Sequence, residues 1–498
     1  MNVKIKSLIS NRILVRSAIC NFIGISLPML VALVVMPYLI AGMGSERFGL
    51  LSIIWMGVGY FSLFDLGVGR ALTKMVAEHL GKGENSDLGE LIWTALTLIA
   101  ILGSVGGILL ATFSANLVGG LLNVPVVFRD EATFALRFLA LGVPCVLVTS
   151  GLVGILEAHQ RFGVIASIRI PLGLLTFLGP FITMQITPSI AWATGALLCV
   201  RVLALIAYYF AAAKICKELF QVRIIKRKEI YPLIKFGGWL TVTNIVGPIM
   251  TYLDRFFISS MLGLAAVAYY CTPYEVMTRL QILPIAVMGA LFPAMTVAHM
   301  ADRSRLREIY LAVSSIVYWV ILPVSVGALL MAPEALQIWL GAEFRDASTS
   351  VVQLLAAGLM LNTLALPAFT VLQSVGRPDL IAKAHVLELF PYLYFLWWLA
   401  KVYGISGVAA VWTLRVAVDT LILNMLVWEQ IPELRKQAVK TCFVMLITGA
   451  FFCAFWVVTS WTIRIFVLLT VVLVSGIMLW FRLQELVKGW TFVSSQDS

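Results

Sequence analysis

The sequence predicts an all-α polytopic membrane protein of about 14 transmembrane helices, in two pseudo-symmetric six-helix lobes followed by two C-terminal helices. Three observations predict this fold class. Apolar stretches of membrane-crossing length recur along the 498 residues, lysine and arginine crowd every second gap between them, and short patterns of the first half return in the second.

The composition is that of a membrane protein rather than a soluble domain. Hydrophobic residues make up 61% of the chain and charged residues 12%, whereas a soluble domain has about a quarter charged residues. The net charge of +11 could indicate nucleic-acid binding, but the basic residues lie in gaps that flank apolar stretches. We therefore expect membrane lipids around the chain and no nucleic-acid partner.

The apolar stretches divide into fourteen spans, each long enough to cross the hydrocarbon layer as a helix. Their predicted bounds are 17–41, 48–69, 89–113, 132–156, 163–186, 188–212, 236–262, 265–298, 310–332, 350–374, 379–402, 404–428, 439–460 and 462–483. The eighth span is long and contains Pro284 and Pro293, so we expect it to kink or to project beyond the bilayer.

The distribution of lysine and arginine predicts the orientation of these spans. Of the 36 basic residues, 26 lie in the tails and gaps assigned to the cytoplasm or at the span ends beside them, 5 lie in or beside the opposite gaps, and 5 lie in span interiors. Basic residues near span ends are retained on the cytoplasmic side. Both termini are therefore predicted to be cytoplasmic.

Three pairs of short segments indicate an internal duplication, because they follow the same order at a nearly constant offset. Met43 and Met261 are 218 residues apart and Arg161 and Arg377 are 216 residues apart, and the remaining pair aligns with small gaps. The pairs are "MGSERFGLLS" (43–52) with "MLGLAAVAYYC" (261–271), "ALTKMVAEH" (71–79) with "AMTVAH" (294–299), and "LEAHQRFGVIA" (156–166) with "LQSVGRPDLIA" (372–382). Each match alone is weak, but together they predict a repeated six-span unit.

The repeat predicts the domain organisation. Because each copy has an even number of spans, the copies run parallel and are related by an axis along the membrane normal. The predicted domains are an N-lobe at 1–213, a basic cytoplasmic linker at 214–235, a C-lobe at 236–430, and the last two spans with a cytoplasmic tail at 431–498. Two parallel bundles with a central cavity are typical of alternating-access transporters. The alternative, a duplication that only builds a scaffold, would need more extramembrane surface for its partners.

Four intramembrane arginines are the candidate substrate-binding residues. Arg201, Arg279 and Arg415 lie 13, 14 and 11 residues into their spans, roughly 16–20 Å deep at about 1.5 Å per residue. Arg255 lies in the outer half of the seventh span. Charges at such depth usually face a cavity or each other, and a guanidinium group offers a planar fork that matches phosphate. The pattern favours an anionic, phosphorylated cargo.

Acidic residues within the spans are candidates for the cavity wall or for ion coupling. The spans contain Asp65, Asp254, Glu275, Glu388 and Asp419, and all of these except Glu388 are taken as site candidates. Glu275 and Arg279 are four positions apart on one helix, as are Arg415 and Asp419, so each pair can close on itself. A closed structural pair and a substrate role remain alternatives for both arginines.

Two arginines are favoured as cavity residues, because neither has an acidic residue at a position on its own helix where the two could pair. Asp254 and Arg255 are adjacent and point roughly 100° apart on a helix. Arg201 has no acidic residue within one helical turn. We therefore expect Arg201 and Arg255 to contact another helix, water or cargo.

No cofactor and no metal site is expected from the motifs. The seven cysteines and four histidines are scattered without ligand spacing. The sequence also contains no glycine-rich phosphate-binding loop, which argues against ATP hydrolysis.

Two long segments resemble a known family. "MGSERFGLLSIIWMGVGYFSLFDLGVGRAL" (43–72) and "YLDRFFISSMLGLAAVAYYCTPYEVMTRLQILPIAVMGALFPAM" (252–295) resemble bacterial polysaccharide and O-antigen flippases of the multidrug/oligosaccharidyl-lipid/polysaccharide (MOP) exporter superfamily. The resemblance implies a multi-pass protein of the bacterial cytoplasmic membrane. It also implies translocation of an oligosaccharide on undecaprenyl pyrophosphate from the inner to the outer leaflet, with a glycan polymerase or other glycan-assembly proteins as partners.

The resemblance carries roles only to residues within the matching segments. These are Asp65 and Arg70 in the first segment, with Arg70 expected at the inner gate, and Asp254, Arg255, Glu275 and Arg279 in the second. Arg201 and Arg415 rest on the depth argument instead.

Three alternative functions would also fit a multi-pass membrane protein of this kind. A multidrug or cation antiporter of the same superfamily would prefer unpaired acids, which the intramembrane arginines oppose. A flippase for the peptidoglycan lipid precursor would share the architecture. A membrane glycosyltransferase, polymerase or ligase would need a sizeable outer loop, yet the longest outer gaps, 114–131 and 333–349, are short. We therefore expect no enzyme activity.

Overall fold

The computed structural model describes residues 11–61, 67–82, 88–159, 161–217, 253–301, 303–456, 458 and 460–494. Across these residues the regular structure is helical, and no strand occurs among them. Asp65, the greater part of the predicted linker and most of the seventh span lie outside the described residues.

Seven α-helices precede the basic linker. They are α1 (Asn11–Met43), α2 (Ser45–Tyr60), α3 (Val68–Lys82), α4 (Leu88–Asn116), α5 (Arg129–Ala158), α6 (Phe162–Ile186) and α7 (Ile190–Ile215). A π-helical turn at Leu117–Leu121 and a 3-10 turn at Val126–Phe128 connect α4 to α5.

Eight α-helices follow the linker in the described residues. They are α8 (253–262), α9 (Leu264–Arg279), α10 (Ile282–Ala301), α11 (Arg303–Leu340), α12 (Ala342–Ser374), α13 (Pro378–Gln430), α14 (Arg435–Trp456) and α15 (Trp461–Ser494). A 3-10 turn at Pro432–Leu434 separates α13 from α14.

The chain groups into two compact units, Met1–Ala268 and Tyr269–Ser498. In the first unit α5 is central, because it packs on α3, α4 and α7. In the second unit α12 is central, because it packs on α10, α11, α13 and α14. Small residues allow these close approaches: a Cβ atom on Gly358 of α12 would lie 2.3 Å from the Trp412 ring of α13.

Nine helices among the described residues are long and apolar enough to cross a membrane. Large apolar side chains such as Phe466, Leu473 and Trp480 of α15 are exposed, as expected of helices surrounded by lipid rather than water. The predicted all-α polytopic class is confirmed for this part of the chain.

Two predicted spans differ in detail from the observed helices. The span predicted at 48–69 is wrong at its end, because α2 stops at Tyr60 and Gly67 has a φ of +71°, which no right-handed helix accommodates. The long eighth span divides at a turn, Leu280–Gln281. Pro284 thereby falls in the first turn of α10, where its missing N–H leaves no hydrogen bond unmade.

The predicted eleventh and twelfth spans form one helix with a sharp break. Gly404 has φ 58° and ψ −141° inside α13, so the segments on its two sides are separate helical arms. We name the arms 378–403 and 405–430.

Two of the duplicated sequence patterns form matching turns. Gly44 ends α1 at φ 80° and Gly263 ends α8 at φ 88°, a conformation that glycine adopts without steric cost. In the other pattern the N–H of Arg161 donates to Leu156 O, and the N–H of Arg377 donates to Leu372 O, both at 2.9 Å. The same local geometry at corresponding positions supports the predicted internal repeat.

Candidate functional site

Arg201 projects from the middle of α7 in the first unit. It lies 11 residues from Ile190, about 17 Å along the helix axis at 1.5 Å per residue. Its Nε atom is buried and has no hydrogen-bond partner in the part of the chain that the structure describes. A buried guanidinium donor without an acceptor costs free energy, so this position suits an anionic group that arrives from outside the protein.

Asp254 and Arg255 are both buried in α8, with 1% and 2% of their surfaces exposed. The backbone N–H of Arg255 donates to Asp254 Oδ1 at 2.8 Å. Nearby, the Ser259 hydroxyl donates to Leu122 O at 2.7 Å and fixes α8 to the segment after α4. In this conformation both charged side chains belong to the protein interior, and their role toward cargo stays a prediction.

Arg70 is exposed on α3, close to the start of that helix at Val68. Exposure at a helix end is compatible with the predicted gate, which stays a prediction. Asp65, the other residue carried by the resemblance in this region, lies outside the described residues.

Glu275 and Arg279 form the i,i+4 pair that their spacing allows. Arg279 Nη2 lies 3.4 Å from Glu275 Oε2, and both side chains are about one-third exposed. The pair is therefore closed and has no net charge, and both groups remain partly accessible.

Arg415 and Asp419 pair differently from their spacing. Arg415 Nε lies 3.6 Å from Glu388 Oε2, and Asp419 Oδ1 lies 3.3 Å from His385 Nε2. The alternative in which Arg415 and Asp419 close on each other is therefore wrong. The break at Gly404 folds the two arms of α13 against each other. Arg415 and Asp419 of the second arm therefore pair with residues of the first arm and not with each other.

Sequence reasoning missed His385 and did not select Glu388 as a site residue. Both lie on the first arm of α13, three positions apart, and face the pair on the second arm. These contacts could have been predicted from the positions of the four residues relative to the boundary between the eleventh and twelfth predicted spans. Positions near 385 and 388 meet positions near 419 and 415 in any antiparallel hairpin that turns close to residue 402.

A second charged junction ties three helices of the first unit. Glu131, near the start of α5, accepts from the backbone N–H of Ile190 at the start of α7 and from Arg47 Nε of α2 at 3.2 Å. The Arg47 guanidinium also lies 4.7 Å from the centre of the Phe128 ring. We call these residues the Glu131 junction.

Among the described residues, no group of three or more His, Cys, Asp and Glu side chains is arranged to hold a metal ion. The charged side chains described above are instead Arg201, the buried Asp254 and Arg255, and the ion pairs of α9 and α13. Such groups can bind an anion or exchange a proton.

A family model described as "Polysaccharide biosynthesis protein" matches residues 14–299. A putative O-antigen transporter of Shigella flexneri is 30% identical over 417 residues, which covers 83% of this chain and 97% of the relative. The chain belongs to this polysaccharide biosynthesis family. The predicted resemblance to bacterial polysaccharide and O-antigen transport proteins is confirmed, and the chain is a multi-pass membrane protein.

Solved structures share the fold of this chain. An inward-facing multidrug resistance MATE family transporter of the MOP superfamily matches with a TM-score of 0.69 at 16% identity, over 83% of this chain and 99% of that one. The lipid II flippase MurJ, in an inward closed conformation, matches with a TM-score of 0.68 at 14% identity, over 94% and 99%. The two likenesses establish a shared architecture.

Proposed function

We propose that this protein is a flippase that carries a polyprenyl-pyrophosphate-linked oligosaccharide across the bacterial cytoplasmic membrane by alternating access. The cargo would be the repeat unit of a surface polysaccharide or O-antigen. The observation that carries the proposal is the 30% identity to a putative O-antigen transporter along 97% of its length.

The charges of the membrane-crossing helices fit such a cargo. Arg201 offers a buried donor that lacks an acceptor among the described residues, and a pyrophosphate diester supplies acceptors with about two negative charges. Charge-assisted bonds between guanidinium and phosphate are among the stronger hydrogen bonds in proteins. In the proposed cycle the pyrophosphate contacts Arg201 while the polyprenyl chain remains in the lipid.

The same proposal places both termini in the cytoplasm and makes the protein a transporter rather than an enzyme. The orientation is supported by the excess of lysine and arginine in alternate gaps. Transport without chemistry is supported by the described connections between helices, since 117–128 and Gly341 are turns too short to form a catalytic domain. Glycan-assembly proteins such as a polymerase would receive the exported unit.

The membrane potential favours export of this cargo. Moving about two negative charges out of a cell that is negative inside releases roughly 4–5 kcal/mol at about 100 mV. Any positive charge that moves outward with the cargo reduces this gain.

Reconstitution tests the proposal directly. Purified full-length protein in liposomes should speed the movement of a fluorescent polyprenyl-pyrophosphate oligosaccharide between leaflets, measured by the access of a membrane-impermeant quencher. A polyprenyl monophosphate without sugar serves as the cargo control. A rate equal to that of protein-free liposomes would overturn the proposed function.

A further inference from the structure

Trp55 of α2 carries a buried hydrogen-bond donor. Its Nε1 atom has no partner within the part of the chain that the structure describes. An indole N–H can only donate, and a buried tryptophan normally finds an acceptor for it. Because an unmet buried donor costs free energy, this atom suits an acceptor that arrives from outside the protein.

Two ring contacts fix the orientation of the Trp55 indole. Its ring meets the Phe48 ring at a centroid distance of 5.9 Å and an interplanar angle of 81°. It meets the Phe177 ring of α6 at 5.2 Å and 60°. Phe48 and Phe177 are both buried, and edge-to-face contacts of this kind are favourable. The indole N–H is therefore held in one direction before any ligand binds.

Arg201 supplies a second buried donor in the same compact unit. Its Nε atom also lacks a hydrogen-bond partner among the described residues. Thr194 and Tyr208, each seven positions from Arg201 on α7, are buried, and so are Leu197 and Ala204 about one turn away. Positions three, four and seven apart share one face of a helix. Arg201 therefore lies on the face of α7 that packs into the first unit.

The Glu131 junction places the two donors at similar depths. It joins Arg47 of α2 and Ile190 of α7 to one carboxylate, so both helices start at the same level. Trp55 follows Arg47 by eight residues and Arg201 follows Ile190 by eleven, which correspond to about 12 Å and 17 Å along the helix axes. The helices α2 and α7 pack on each other. The difference of about 5 Å in depth is within the reach of an arginine side chain.

The helices around the two donors provide no carboxylate at this depth. Residues 47–60 of α2, 91–116 of α4, 132–156 of α5 and 162–215 of α6 and α7 contain no Asp or Glu. The buried Asp254 of α8 lies in the same unit, but its Oδ1 atom accepts from the backbone N–H of Arg255, whose side chain balances its charge. Within the described residues of α2 and α7, the two donors thus face a site without an anionic acceptor.

We propose that Trp55 and Arg201 form one binding site, inside the first unit, for the pyrophosphate group of the cargo. The inference rests on the proposed function and adds Trp55 as a cargo-binding residue. The guanidinium makes charge-assisted bonds to phosphate oxygens, and the indole N–H donates to a further oxygen of the same group. Both residues belong to the unit Met1–Ala268, so the site needs no residue of the second unit.

A site made of donors selects phosphate over the other parts of the cargo. The oxygens of a pyrophosphate diester only accept, and they carry the negative charge that a guanidinium matches. Sugar hydroxyl groups donate as well as accept, so their own donors would be unmet here, and the polyprenyl chain has neither kind of group. The neutral indole adds a hydrogen bond at a lower desolvation cost than a second buried charge.

The first test measures binding without transport. Purified full-length protein in phosphatidylcholine nanodiscs should bind geranyl pyrophosphate, a short water-soluble prenyl pyrophosphate, in calorimetric titrations. Trp55→Phe keeps an aromatic ring against Phe48 and Phe177 but removes the N–H, so its affinity should fall about 10-fold. Trp192→Phe is the matched control, because Trp192 of α7 is 65% exposed, and its affinity should equal that of the wild type.

A spectroscopic measurement on the wild-type chain does not depend on the folding of a variant. The sequence has 14 tryptophans, and each gives one indole N–H signal after ¹⁵N labelling. One signal should move when geranyl pyrophosphate is added, and the same signal should be missing from the spectrum of Trp55→Phe. If no indole signal moves, or if the moving signal persists in Trp55→Phe, the proposed site is overturned.

A double variant shows whether the two residues hold the same group. Residues that share one partner are energetically coupled. Trp55→Phe should therefore lower the affinity for geranyl pyrophosphate less in an Arg201→Ala background than in the wild type. Equal losses in both backgrounds would show two independent effects and overturn the single site.

Nanodiscs that contain phosphatidylglycerol separate two sources of phosphate. Added phosphatidylglycerol should leave the affinity for geranyl pyrophosphate unchanged, because its phosphate stays in the headgroup layer. If phosphatidylglycerol competes in the wild type and the competition is lost in Trp55→Phe, the site binds a bilayer lipid and its assignment to cargo is overturned.

Binding and flipping together separate this inference from the proposed function. Binding that depends on Trp55 and Arg201 without any flipping in liposomes would keep the phosphate site and overturn the flippase. Wild-type affinity and a wild-type flipping rate in Trp55→Phe would overturn the site and leave the flippase intact.

Discussion

At the scale of single residues, Arg201 is the charged group whose environment fits cargo most directly. Its Nε atom has no acceptor among the described residues, whereas Arg279 and Arg415 each lie within 3.6 Å of a carboxylate. The depth of Arg201 was readable from the sequence, because span boundaries fix it. The pairing of Arg415 was not, since it depends on which helix faces which.

Substitution of Arg201 should weaken export without harming the fold. Arg201→Ala removes a guanidinium–phosphate contact worth about 1.5–3 kcal/mol, so flipping at limiting cargo should fall about 10- to 150-fold. Arg201→Lys should lose less because the charge remains. The measurement is the liposome flipping rate against cargo concentration.

Arg137→Ala is the matched control for Arg201. Arg137 is exposed near the start of α5, with its guanidinium 5.7 Å from the centre of the Phe134 ring, so its loss should leave flipping unchanged. If Arg201→Ala flips cargo at the wild-type rate, Arg201 does not bind the cargo.

At the scale of elements, the helices of the first unit are held by polar junctions and by close backbone approaches. The Glu131 junction satisfies the N–H of Ile190, one of the donors that a helix start leaves unpaired. A carboxylate at this end of α7 also interacts favourably with the helix dipole. Neither contact can be predicted from the sequence, because Glu131 lies beside a gap between two predicted spans and its spacing indicates no partner.

Loss of the Glu131 carboxylate should destabilise the start of α7. Glu131→Ala should cost about 1 kcal/mol, as for other helix caps, and lower the unfolding midpoint by about 2–4 °C. Arg47→Ala should cost less, because it leaves the bond to Ile190 in place. Equal midpoints for Glu131→Ala and wild-type protein in nanodiscs would show that the junction contributes nothing.

Two helices of the first unit approach each other closely at Gly49. A Cβ atom on Gly49 of α2 would lie 1.9 Å from Leu264 O of α9, which is backbone and cannot rotate away. Gly49→Ala should therefore force the helices apart at a cost of about 1–3 kcal/mol. The measurement is the thermal midpoint of the purified variant.

Gly195→Ala is the control for this substitution. Gly195 is also within a helix, α7, but a Cβ atom there would meet nothing within 4 Å. The thermal unfolding midpoint of Gly195→Ala should equal that of the wild type or exceed it slightly, because alanine forms helices better than glycine. A normal midpoint for Gly49→Ala would contradict the close approach.

At the scale of the whole molecule, the charge pattern predicts one orientation in the membrane. A fluorescent protein fused after Lys217 or at the C-terminus should fluoresce, because it folds in the cytoplasm. Alkaline phosphatase fused at the same two positions should be inactive. Fusions after Arg345 should give the reverse, because 345 lies in a gap assigned to the outside. Phosphatase activity after Lys217 would invert the proposed orientation.

The sequence by itself determined the helical class and the family, and it predicted the fourteen spans and the internal repeat. Each of these depends on features that are local in the chain: apolar length, basic residues at span ends, and motifs such as 43–72 and 252–295. The bilayer makes such local signals strong, because every backbone polar group in hydrocarbon must be satisfied within its own helix.

Only the tertiary structure decided which charges meet. It paired Arg415 with Glu388 and Asp419 with His385 across the break at Gly404. A hydrogen bond or ion pair depends on a few ångströms between residues that are distant in sequence. Spacing along one helix offered Asp419 as the partner of Arg415, and the packing of the two arms gave Arg415 Glu388 instead.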